Sequence, residues 1–101
     1  MIRGTTPKLT FNLPIDTSTL KNVYVTFADQ DKNVLLEKET AECQLSDKSI
    51  AVKLTQEETL EFTGRQSVLV QLRMTDTAGE AFASKIYTVH VDDILKDGVI
   101  E

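Results

Sequence analysis

Val68-Leu69-Val70-Gln71-Leu72-Arg73-Met74 is the stretch on which the fold turns. Val68, Val70, Leu72 and Met74 recur with a period of two, which puts them on one face of a β-strand and Leu69, Gln71 and Arg73 on the other. The same alternation runs through Leu9-Thr10-Phe11-Asn12-Leu13, Val23-Tyr24-Val25-Thr26-Phe27 and Ile50-Ala51-Val52-Lys53-Leu54. Short strands with one apolar face each, separated by turn residues, predict an all-β antiparallel sandwich whose sheets bury those faces against each other.

Downstream of this strand (residues 66–75), Asp76-Thr77-Ala78-Gly79-Glu80 reads as a hairpin loop with Gly79 available for positive φ. The last strand, 82–91, has a mixed pattern. Tyr87, Val89 and Val91 share one face while Ile86 sits on the other, which predicts a bulge or burial on both sides. Upstream, Thr55 and Glu58 have capping-box spacing, in which hydroxyl and carboxylate each accept from a free amide at a helix start. They predict one short helical turn over 55–61, crossing between sheets as a Greek key requires. Strands are expected at 49–54, weakly at 41–45 around Cys43, from Val34, at 22–28 and at 8–13, where Pro14 stops the first. The run Val34-Leu35-Leu36 breaks the alternation, suiting a strand covered on both faces or one with a bulge. Residues 16–20 carry cap-and-turn chemistry with one helical turn. Gly4 and Pro7 make residues 1–7 an extended arm, and 92–101 read as a C-terminal tail in which Asp92 caps a final turn closed by Gly98. This gives a single domain, 1–101, of about seven strands.

The net charge is −5, from 11 Lys and Arg against 16 Asp and Glu. That balance argues against nucleic acid or an anionic membrane as partner. A lone cysteine, Cys43, excludes an internal disulfide and suits a reducing compartment. No apolar run approaches the 18 or so residues of a membrane span, and no signal-peptide core follows Met1.

Side chains with chemical potential are few. Asp29-x-Asp31-x-Asn33 matches the first three ligand positions of a calcium loop, but Val34 stands where Gly is needed and Thr40 where a bidentate Glu belongs. The stretch reads as a turn. His90, the only histidine, lies near Asp92 and Asp93 without an identifiable nucleophile, so it reads as a solvent-facing strand residue. Cys43, preceded by Glu42, reads as a small buried apolar side chain. Glu57, Glu58 and Glu61 suit a solvated first helical turn. No catalytic, cofactor-binding or metal-ligating residue is assigned, no cofactor is expected, and the chain reads as not an enzyme. The termini stand apart. Ile2, Val99 and Ile100 are apolar where chains usually fray into polar ends, so they either complete the domain or contact a partner.

Ile2-Arg3-Gly4-Thr5-Thr6-Pro7, Val52-Lys53-Leu54-Thr55-Gln56-Glu57-Glu58-Thr59-Leu60, Val70-Gln71-Leu72-Arg73 and the final Asp92-Asp93-Ile94-Leu95 with Val99-Ile100 carry a resemblance. Over most of its length the chain resembles small proteins encoded in phages and prophages of Gram-positive bacteria. The resemblance implies an immunoglobulin-like fold and a tail or baseplate setting, with synthesis in the host bacterial cytoplasm before entry into the virion. Other phage structural proteins, or further copies of the chain, would be its partners. It implies no catalytic residue. The expected function is therefore structural or assembly work through protein–protein contacts. The second reading is a loop-mediated binding module for a host-surface glycan or protein, against which the chain offers no Trp and no Tyr in its loops.

Overall fold

A computed structural model describes residues 1–101. Eight strands form in chain order: β1 (Lys8–Asn12), β2 (Leu20–Ala28), β3 (Val34–Glu39), β4 (Cys43–Ser46), β5 (Ser49–Lys53), β6 (Ser67–Asp76), β7 (Ala81–Ala83) and β8 (Tyr87–His90). The one α-helix, α1 (Gln56–Leu60), links β5 to β6. The small sheet has the order β1-β5-β4; the large one runs β3-β2-β6-β7, and β8 also pairs with β6. All strand pairs are antiparallel. This order matches the B-E-D and C′-C-F-G arrangement of an immunoglobulin-like sandwich, with β1 at the free edge of the small sheet.

The alternating stretches bury the faces that the sequence predicts. Val68, Val70, Leu72 and Met74 of β6 pack with Val23, Val25 and Phe27 of β2 against Phe11, Ile50, Val52 and Leu54 of the small sheet. Fourteen buried apolar residues form this core, and Phe27 stacks on Phe62 from beyond α1 with ring centroids 5.8 Å apart. Helix α1 starts as its capping box requires: Thr55 Oγ1 accepts from the Glu58 amide, and the Glu58 carboxylate accepts from the Thr55 amide.

Of the two alternatives for β3, the structure takes the bulge: the register shifts between Phe27 and Ala28, leaving Leu35 as an extra residue and Val34 exposed. Three details differ from the sequence reading. Residues 40–42 form a tight 3-10 turn in place of the start of strand four. The last strand splits, because Ser84 lends its own atoms to the ladder. Its amide donates to the Leu72 carbonyl while its Oγ accepts from the Leu72 amide, and β8 starts only at Tyr87. Finally, Asp92 caps no helical turn. Its backbone is taken by the arm, whose Ile2 bridges it in parallel, with Asp92 N–H donating to Met1 and Arg3 N–H donating to Asp92.

Candidate functional site

The residues that sequence reasoning weighed as chemical do not converge on one place. His90 is exposed at the end of β8, with Nε2 3.4 Å from an Asp92 carboxylate oxygen. The nearest serine in sequence, Ser84, has its Oγ committed to donating to the Lys85 carbonyl and accepting from the Leu72 amide. Asp29 is spent on its own turn, where its carboxylate accepts from the amides of Asp31 and Asn33 and from the Asn33 side chain. Those bonds, Asn33 foremost, hold its carboxyl below the ordinary range. No group of three or more His, Cys, Asp and Glu side chains is arranged to hold a metal ion.

Cys43 sits half-buried on the inner face of β4, its Sγ donating to the Glu39 carbonyl at 3.3 Å. Burial first, then the Glu42 carboxylate, push its thiol up, opposite to what a nucleophile needs.

One charged cluster was not foreseen. Lys38 points inward from β3 with only 7% of its surface exposed. Its Nζ lies 2.6 Å from Glu58 of α1 and 3.5 Å from Glu42 of the 3-10 turn. Glu58 is therefore not merely a solvated helix-start carboxylate; it is also the counter-ion of a buried ammonium. Burial disfavours the charge on Lys38, but Glu58 and Glu42 outweigh it and hold the ammonium above its ordinary 10.5. Burial likewise opposes ionisation of Glu58, and Lys38 with the Thr55 amide overcomes it, holding the carboxyl below 4.5. No buried side-chain polar atom lacks a partner and no cavity opens on the cluster, so the ion pair acts as a tie between β3 and α1. Lys38 shares the inward parity of Leu36, two residues before it, but only the sheet register reveals what lies opposite.

The termini gather at the α1 end of the sandwich. Arg3 donates from Nε to the Phe62 carbonyl and from Nη2 to the Leu60 carbonyl, and Thr59 Oγ1 donates to the Thr5 carbonyl. Gln56 clamps Ile100 from both sides, donating to its carbonyl and accepting from its amide. The backbone of both ends is thus tied to its own domain, while Ile2, Val99 and Ile100 keep 48%, 48% and 58% of their surface exposed. Leu95 is fully exposed, and with Gly4, Ile94 and Ile100 it lines a shallow concavity. Ile2, Leu95, Val99 and Ile100 are thus large apolar side chains that face water near the two chain ends.

No helix is long and apolar enough to cross a membrane. Comparison with protein-family models, with curated proteins and with solved structures finds no significant match.

Proposed function

We propose that this chain is a small non-enzymatic structural or assembly protein of a phage or prophage, joining other virion proteins in the tail or baseplate region through protein–protein contacts. The observation that carries the contact reading is the patch at the α1 end. Ile2, Leu95, Val99 and Ile100 face water, and the backbone of Ile2 and of Ile100 is hydrogen-bonded to the domain, so binding these two costs little further ordering. The chemistry points the same way, since Cys43, Asp29 and Ser84 are each occupied by a structural bond. The virion setting rests alone on the resemblance carried by residues 2–7, 52–60, 70–73, 92–95 and 99–100. A loop-mediated receptor binder is less well supported. Asp29 and Asp76 each close their loop by accepting from two amides, and neither loop carries an aromatic platform.

The test is quantitative mass spectrometry of purified particles. Wild-type chain is expected at a fixed number of copies per particle, and the Ile2→Ser/Val99→Ser/Ile100→Ser variant at less than a tenth of that. Absence of the wild-type chain from particles refutes the virion assignment; equal incorporation of the variant refutes the patch.

A further inference from the structure

β1 is the free edge of the small sheet and leaves one side of the sandwich open, where a shallow slot lies. On the opposite side the chain closes the gap itself, because β3 passes into β4 through the 40–42 turn. Here β1 and β8, one from each sheet, face each other across a groove that Thr10, Phe11 and Asn12 line on one side and Lys85, Tyr87 and Thr88 on the other. The groove continues past Pro14 and Phe82, the two parts measuring about 510 and 310 Å³. Its floor is the edge of the core: the rings of Phe11 and Tyr87 meet there, 5.4 Å apart, with Leu9 and Val89 half-buried beside them.

The register decides which backbone groups face it. Leu13 donates to Lys48 and Pro7 accepts from Leu54, so the odd-numbered residues of β1 turn their peptide groups to β5. The even-numbered ones, Lys8, Thr10 and Asn12, turn theirs to the slot. On β8 the same parity applies. Val91 bonds to Gln66, whereas His90 and Asp92 face outward and are taken by residues 1–3 of the arm. The arm stops there, so the outward groups of Thr88 stay open. Pro7 and Pro14, which cannot donate, bracket the free edge of β1 to five residues.

Charge supplies the second observation. Neither part of the groove is lined by a carboxylate, in a chain with 16 of them. Lys8 stands directly opposite Lys53 across the β1–β5 pair, a like-charge contact that an isolated sheet disfavours. Lys85 lies over the Tyr87 ring at 5.1 Å.

We propose that this slot receives an extended, carboxylate-bearing segment of a partner protein, which adds to β1 as a fourth strand of the small sheet. Alternate apolar side chains of that segment cover Phe11 and Tyr87, its peptide groups pair with Thr10 and Asn12, and its outward acids stand beside Lys8, within the field of Lys53 one strand further on. The terminal patch plays no part in this contact, so the two can fail separately.

The probe is a random decapeptide library displayed on yeast and selected on the full chain. Enriched peptides are expected to alternate apolar residues with Asp or Glu, and to slow exchange of the Thr10 and Asn12 amides at least ten-fold. Thr10→Pro removes an outward N–H without touching the β5 ladder, and Lys8→Glu/Lys53→Glu reverses the charge; either is expected to weaken the selected peptides at least ten-fold. Thr10→Ala, which keeps the N–H, is expected to leave binding intact and controls for the lost side chain, while circular dichroism of Thr10→Pro itself is expected to match the wild type. Ile2→Ser/Ile100→Ser is expected to change nothing. The proposal is overturned if no peptide is enriched, if enriched peptides carry no acidic bias, or if they bind the Lys8→Glu/Lys53→Glu protein equally well. It is also overturned if a second copy of the chain pairs at β1 in place of a peptide.

Discussion

Glu58→Gln and Lys38→Met remove the same ion pair from opposite sides, and the structure predicts very different consequences. Glu58→Gln keeps the capping box, since a glutamine oxygen still accepts from the Thr55 amide, but it strands an ammonium that is only 7% exposed. Removing one partner of a buried pair costs about 3–5 kcal/mol; with Glu42 still 3.5 Å away and the Glu58 side chain 21% exposed, a loss of about 2–4 kcal/mol is expected. Lys38→Met instead fills the same space with an apolar chain and leaves Glu58 its Thr55 amide and access to water, so it should cost less than about 1 kcal/mol. For a domain of this size each kcal/mol moves Tm by about 4–8 °C, so a difference of about 1–4 kcal/mol separates the variants by about 4–30 °C. Urea unfolding followed by circular dichroism gives the free energies, and the Lys38→Met/Glu58→Gln double variant should return to within about 1 kcal/mol of wild type. Equal losses for the two single variants, or a Glu58→Gln loss below about 0.5 kcal/mol, would refute the claim that the cluster is a desolvated pair.

Three further perturbations read other parts of the structure. Because the folded pKa of Glu58 is depressed, its stabilisation is fully present above the ordinary 4.5 and is lost as pH falls through the lower folded value; because that of Lys38 is raised, its share is full below 10.5 and lost as pH rises through the higher one. Glu58→Gln should therefore shrink the acid loss seen by urea unfolding below pH 4.5, and an unchanged acid limb would contradict this. Cys43 should react with Ellman's reagent at pH 8 at least ~10-fold more slowly than in urea, and equal rates would show the thiol is not held down. Gly64→Ala places a Cβ 2.6–2.9 Å from three Asp93 atoms, including its Cβ, and should cost about 1–3 kcal/mol by thermal unfolding; a neutral result would mean that the 92–93 backbone yields freely.

The sandwich was legible because its signal is local. Period-two alternation in β1, β2, β5 and β6 names the inward faces without any knowledge of pairing, and the Thr55–Glu58 spacing names the helix start. What the sequence could not show depends on register and on chain crossings. Lys38 looks like any strand lysine until β3 is set beside β2 and α1 falls 2.6 Å away. The open edge of β1 appears only when the strand order shows that no strand precedes it in the small sheet. Residues 1–7 read as an extended arm with no partner named, and the structure adds that Arg3 finds two carbonyls about 60 positions away in the sequence. Ile2, Val99 and Ile100 read as apolar ends, and the structure adds that the backbone of Ile2 and Ile100 is fastened while all three side chains stay wet.

The proposed division between contact and chemistry is tested most directly by complementation. A phage deleted for this gene would be supplied with wild-type chain, with the Ile2→Ser/Val99→Ser/Ile100→Ser variant, or with a Cys43→Ala/His90→Ala variant that removes the only thiol and the only imidazole. Yields of infectious particles with complete tails should be restored by the wild type and by Cys43→Ala/His90→Ala, and should fall with the apolar-patch variant although that protein is folded. Restoration by the patch variant together with failure of Cys43→Ala/His90→Ala would contradict it, and would place the function in chemistry rather than in surfaces.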